Sequence, residues 1–268
     1  MSAQVGTVVS LFRYPVKSMI GEELNASAID ERGLRGDRAY AFVDTETRKV
    51  VSAKEPRKWA RMFDCRAAFA EPVDGGALPA VQITLPDGTV LTSGRDDLDS
   101  ALSELLARPV VFASQAPEEP SLEEYWPDME GLDHRDTITD EPMPPGTFFD
   151  GASVHVLTSA TLDALRLAYP EGRFEPRRFR PNLIVQTDGE GFVENDWVGR
   201  ELTLGDGVRL KVVKPCPRCV MTTLPQGDLP KDPGILRAAA QNNGADVGVY
   251  ASVVARGTVR RGDPVVLE

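Results

Sequence analysis

Short apolar runs, rather than long helical stripes, set what this chain can fold into. GTVVSLFRYPV (6–16), AVQITL (80–85), SVHVLT (153–158), NLIVQT (182–187) and GVYASVV (248–254) alternate or cluster their hydrophobic residues over strand-length stretches. Turn residues cut them off, and that pattern predicts strands. AVQITL and TVLT flank Pro86-Asp87-Gly88, a hairpin signal, and ELTLGDGVRLKVV turns at Gly205-Asp206-Gly207. AYAFVD and KVVSA flank TETR and predict a further hairpin, while PVVFAS and DPVVLE read as single strands. Helical spacing is confined to three places. DDLDSALSELLA puts Leu98, Leu102, Leu105 and Leu106 on one face; Leu162, Leu165 and Tyr169 follow a cap at Thr158 or Ser159; DPGILRAAAQNN starts with Asp232 as cap and Pro233 in the first turn. Many short strands with few helices predict a mainly β, α+β chain built from closed or partly closed barrels.

Residues 115–148 change character: they are acidic and proline-rich with little periodicity. They read as a linker or long loop, so the chain divides into an N-terminal barrel-like domain, 1–116, and a barrel domain, 117–268, the latter opening with the acidic segment 117–148. The run 117–141 is either a solvated face or a dock for a basic redox partner.

The formal net charge of −11 disfavours duplex nucleic acid as a partner. No apolar run approaches a membrane span, and the N-terminus lacks a signal-peptide pattern. With three cysteines, a disulfide scaffold is not expected. These features suggest a cytoplasmic protein with reduced thiols.

KPCPRCVMTTLPQGD (214–228) holds two of those cysteines. A structural zinc site wants four ligands, and the rest of the chain offers only Cys65, His134 and His155. A thioredoxin-type dithiol wants a helix after the pair, where this chain has β-branched residues and then Pro225. Two buried structural cysteines remain open as a reading. So does a thiolate, stabilised by Lys214 and Arg218, for a soft metal that brings its remaining ligands with it.

Four stretches in order carry a resemblance: YPVKSM (14–19); RGLRGDRAYAFVD with VVSAKEPRKWARM (32–62); RFRPNLIV (178–185); and KPCPRCVMTTLPQGD followed by GTVRRGDPVVL. Together they resemble the MOSC superfamily, named for the molybdenum cofactor sulfurase C-terminal domain. The resemblance is to the subgroup with an N-terminal β-barrel that includes the mitochondrial amidoxime-reducing components. It implies a molybdenum cofactor (molybdopterin) whose metal is ligated by Cys219, with Cys216 as a non-ligating neighbour. It places cofactor contacts at Lys17, Ser18, Arg38, Arg180 and Asn182, with Arg218 beside the thiolate. Asp150 would accept from the pterin or deliver protons, so Cys219 and Asp150 are the expected catalytic pair. Pro181 would restrict the backbone of Arg180 and help aim it. Arg177 and Arg178 are expected to face solvent or line the entrance.

The implied activity is reduction of N-hydroxylated small molecules such as amidoximes, hydroxylamines and N-hydroxylated bases. The alternative is a cofactor carrier or sulfur-transfer protein with the same pocket. A superfamily-level association with pyridoxal phosphate also comes with the resemblance. No cysteines are left for an iron–sulfur cluster and no membrane anchor is read, so electrons are expected from a separate cytochrome b5- or ferredoxin-like protein.

Overall fold

The computed structural model describes residues 2–268. Seven strands close into a barrel in the order Leu183–Gln186, Val154–Thr158, Asp246–Ala255, Val208–Pro217, Glu201–Leu204, Pro264–Leu267 and Ala3–Arg13. The first strand returns to Leu183–Gln186, with Leu11 opposite Leu183, and this pairing closes the ring. Most neighbours are antiparallel; Val154–Thr158 and Leu183–Gln186 run parallel, joined through the helix Ser159–Ala168. Alternate residues point inward, so Val8, Leu11, Val156, Val185, Leu202, Leu210, Val249 and Val265 fill the barrel.

Sheet membership cuts across residue 116. The barrel takes its closing strand from the first thirteen residues, and Ala26–Asp30 pairs with Gly257–Arg260 near the other end of the chain. A second core, around Val16, Met19, Phe42, Met62, Ile83 and Leu102, gathers the rest of the N-terminal half beside the barrel.

The cap readings agree with the local structure. Thr158 accepts from the Thr161 amide, and Asp232 accepts from the Gly234 amide with Pro233 in the first turn. The strand pairs Glu201–Leu204/Val208–Pro217 and Val81–Thr84/Val90–Thr92 form as expected.

Two expectations need correction. The AYAFVD–KVVSA hairpin is truncated. Its turn closes through Asp44 N–H to Lys49 O at 3.0 Å and Val51 N–H to Phe42 O at 2.8 Å. The strand Ala41–Asp44 then pairs along its length with Val110–Ala113, while Val50 donates to Ser121 O.

Secondly, the acidic segment is not a bare loop: Ser121–Trp126 and Thr137–Pro142 form an antiparallel hairpin. Its inward carboxylates are matched by lysines from elsewhere. Lys49 and Lys58 reach Glu123, and Lys54 reaches Glu124. The stabilising partners are far away in sequence, which is why composition gave no strand signal there.

Candidate functional site

One end of the barrel meets the N-terminal half at a cavity. It is lined by Lys17, Ser18, Arg38 and Lys54 from the N-terminal half. From the barrel side come Asp150, His155, Arg178, Phe179, Arg180, Pro217, Arg218, Cys219, Met221, Thr222 and Tyr250. The structure thus gathers every expected site residue except Asn182 around one cavity.

Each cation is held by its neighbours. Lys17, buried, donates to Phe148 O at 2.9 Å and to Asp150 Oδ1 at 2.7 Å. Burial lowers its pKa, against the pull of Asp150. The Arg38 Nη1 group donates to Asp37 Oδ2 at 2.5 Å and Nη2 to Arg180 O at 3.2 Å. Arg180 Nη1 donates to Met19 O at 2.7 Å. The Arg38 and Arg180 guanidiniums both lie over the Tyr14 ring, at 4.3 and 4.2 Å from its centroid, a cation–π contact that fixes their planes. Ser18, Arg38 and Arg180 all adopt left-handed backbone, with φ of 63°, 46° and 55°. For residues with a Cβ this costs on the order of 1 kcal/mol each. Arg180, with ψ 46°, ends the short helix Pro176–Phe179 as its left-handed cap. It does not take the extended conformation expected before Pro181.

The two thiols of the CPRC segment have different surroundings. Cys216 is fully buried, and its sulfur accepts from Arg218 Nη1 at 2.9 Å. Cys219 lines the cavity and backs onto Ala53, Phe63, Met221 and Leu224. Burial pushes the Cys219 thiol up to about 12; Glu124 adds to this, and Lys54 and Arg218 oppose it. Basic neighbours alone therefore do not make it a thiolate. Lys214 is no help, since it is exposed and leans over the Tyr250 ring at 5.9 Å. A bound metal cation would reverse that balance, because a coordinating thiol is deprotonated outright. Among the described residues, no three His, Cys, Asp or Glu side chains gather where they could hold a metal ion. A metal at Cys219 would have to bring most of its ligands.

The donor set fits a polyanionic chelate. Arg178, Arg180 and Arg218 all line the cavity. They contact backbone carbonyls or sulfur, and none forms an ion pair with a carboxylate among the described residues. The Arg218 Nε–H is buried without a hydrogen-bond partner among them. Cations left in this condition call for an anionic ligand.

Three expectations change. Asp150 sits between Lys17 and Lys54, at 2.7 and 3.8 Å. Burial would raise its pKa, but the two lysines hold the carboxyl far below the usual carboxylate range. The ionised form is favoured, which weighs against a role in carrying protons. Asn182 is saturated within the protein: Nδ2 donates to Asp37 Oδ2 at 2.9 Å and to Phe12 O at 3.3 Å, and Oδ1 accepts from the His155 amide at 3.0 Å. It braces the wall rather than facing the cavity. Of the two places expected for Arg178, solvent or the entrance, solvent is excluded: it is 1% exposed and lines the cavity. Arg177 is half-buried and pairs with Glu175 and Asp228 at 2.7 and 2.6 Å.

Sequence reasoning missed Lys54, Asp37, Tyr14, Glu124 and Tyr250. Lys54 and Asp37 lay inside the quoted stretches VVSAKEPRKWARM and RGLRGDRAYAFVD, so proximity to a motif was the available signal. His155, read as a core histidine or zinc candidate, is buried, and its Nε2–H donates to Val247 O at 3.0 Å.

Residues 144–266 match the family model of the MOSC domain, and residues 5–72 that of the MOSC N-terminal beta barrel domain. The chain is 30% identical to mitochondrial amidoxime-reducing component 1 of Xenopus laevis, over 98% of this chain and 82% of that protein. To mitochondrial amidoxime reducing component 2 of Bos taurus it is 27% identical, over 98% and 83%. To human mitochondrial amidoxime-reducing component 1 it is 27% identical, over 82% and 67%. The chain belongs to the MOSC family, in the branch that carries the MOSC N-terminal barrel and is homologous to the amidoxime-reducing components. That membership suggests an oxidoreductase role connected with the molybdenum cofactor. The cytoplasmic location expected from the sequence does not stand: these relatives are named as mitochondrial. Charge and a low thiol count do not distinguish the two compartments. Nothing in the matches supports pyridoxal phosphate. Among the described residues, no helix is long and apolar enough to cross a membrane.

Proposed function

We propose that this chain is a molybdenum-cofactor-dependent oxidoreductase that reduces N-hydroxylated compounds such as amidoximes and hydroxylamines, with Cys219 as the protein's bond to the metal. The observation that carries the reading is a single thiol facing a cavity in which three of the arginines, Arg178, Arg180 and Arg218, lack carboxylate partners among the described residues. When bound, the cofactor supplies the two-electron chemistry that removes oxygen from nitrogen. The protein's part is to bind, orient and neutralise. Lys17, Ser18, Arg38, Arg180 and Arg218 would hold the cofactor's phosphate and chelate, the arginines as planar forks and the lysine as a point charge. Asp150 would hold Lys17 and Lys54 in place and accept from the pterin edge. Asn182 and Asp37 would fix Arg38 and the strand bearing His155 from behind. Electrons would come from a separate cytochrome b5- or ferredoxin-like protein.

The test is turnover. Fully molybdenum-loaded protein, given a chemical electron donor, should reduce benzamidoxime to benzamidine. Full loading without reduction of benzamidoxime or N-hydroxycytosine would refute the enzyme and favour a cofactor carrier.

A further inference from the structure

We infer that Arg178 is a positioning residue that clamps the segment bearing Cys219, and so sets how long the cofactor stays bound. The inference rests on the proposed role of Cys219. The four-residue helix Pro176–Phe179 aims Arg178 inward, away from the side taken by Arg177. Its guanidinium spans four backbone carbonyls. Nε donates to Arg173 O at 2.9 Å; Nη1 donates to Thr222 O at 3.0 Å and Leu224 O at 3.2 Å; Nη2 donates to Pro230 O at 2.8 Å. Three of those carbonyls lie within the eleven residues after Cys219, in a stretch with no long element of its own. Its regular structure is the 3-10 turn Val220–Thr223; Thr222 N–H and Oγ1 both donate back to Cys219 O, at 3.2 and 3.0 Å. Holding Thr222 O therefore holds the carbonyl side of Cys219 through one further bond. Arg180, the left-handed cap of the same short helix, also lines the cavity and donates to Met19 O. The helix thus fixes the thiol's loop and an anion-binding guanidinium in one rigid relation.

The three guanidinium nitrogens serve four carbonyls at once; a lysine ammonium, with three donors on a single nitrogen, cannot reach all four. The charge is also notable. A guanidinium this buried, with no carboxylate partner among the described residues, is retained for geometry that an apolar side chain would not supply.

The test compares R178K and R178A with wild type. One readout is hydrogen exchange over 219–231, and the other is molybdenum retained through repeated gel filtration. R178K keeps the charge but not the fork. We expect exchange in 219–231 to rise at least about tenfold, since each lost charge-assisted bond is worth roughly that factor. Barrel amides should be unchanged, and molybdenum should be lost faster by a similar factor. Millimolar guanidinium chloride should restore retention in R178A, where equal sodium chloride does not. If R178A fails to fold, R178K alone decides. Wild-type retention in R178K, or exchange that rises equally throughout the barrel, overturns the clamp. Cys219→Ala serves as the reference: if it keeps molybdenum, the cofactor reading has failed; if it loses molybdenum while R178K does not, only the clamp has.

Discussion

His155 should make the cofactor-free protein acid-labile well above the range where carboxylates protonate. Its ring is buried against Tyr250, at 5.8 Å between centroids, with Nε2 on Val247 O. Burial, reinforced by the nearby Arg218 charge, pushes its pKa down to about 3 from the ordinary 6.5. Below about 6.5 the unfolded chain therefore takes up a proton that the folded chain refuses, and stability falls with pH until about pH 3. At pH 5 the unfolded state gains RT ln(1 + 10^1.5), so the folded state loses about 2 kcal/mol relative to pH 8. His155→Gln keeps a donor for Val247 O and removes the titration. Urea unfolding of both proteins at pH 8, 6.5 and 5 isolates the effect, because the other groups are shared. Wild type should lose about 2 kcal/mol more than the variant between pH 8 and 5. Parallel stability curves would refute the reasoning.

Three further outcomes follow from the geometry. Arg180→Ala leaves a buried anion of the ligand unpaired, so cofactor affinity should fall by ~2–5 kcal/mol, measured by molybdenum retained after dialysis; wild-type retention would contradict this. Asp150→Asn should lower activity without reshaping the pH–rate profile between about pH 5 and 9, because Lys17 and Lys54 keep that carboxyl ionised throughout; a lost acid limb would make Asp150 the proton carrier after all. Gly248→Ala should destabilise by about 3 kcal/mol, a fall of about 6 °C in Tm. Gly248 has φ +80°, and a Cβ there would lie 2.4 Å from His155 Nε2 and 2.6 Å from Val156 O; an unchanged Tm would be inconsistent with that packing.

The barrel was legible because its signals are local. Period-two runs, the Asp-Gly turns and the caps at Thr158 and Asp232 each depend on residues within one element. What stayed hidden depends on distant partners. Ala3–Arg13 reads as a strand, but nothing near it says that it pairs with Leu183–Gln186 and Pro264–Leu267. The strands of the acidic hairpin exist because Lys49, Lys54 and Lys58 neutralise Glu123 and Glu124.

The site shows the same division. Cys219, Lys17, Ser18, Arg38, Arg180 and Arg218 stand in motifs whose order signalled a common purpose, and they do line one cavity. The role of Asn182 was misjudged because its three hydrogen bonds are all to groups at least 27 residues away. Whether Arg178 faces solvent or lines the entrance was left open by the sequence because its carbonyl partners carry no side-chain signature at all. Asp150 looked like a proton carrier because the second lysine beside it, Lys54, was not recognised as part of the wall.

Two neighbouring thiols, Cys216 and Cys219, could bond the metal, and the structure favours the second. Molybdenum should be measured per chain in wild type, Cys216→Ala and Cys219→Ala, each expressed under cofactor-replete conditions and purified alike. Cys219 lines the cavity and Cys216 is occupied by Arg218 behind it. Cys219→Ala should therefore lose molybdenum while Cys216→Ala keeps most of it. Equal molybdenum in Cys219→Ala and wild type would contradict the account.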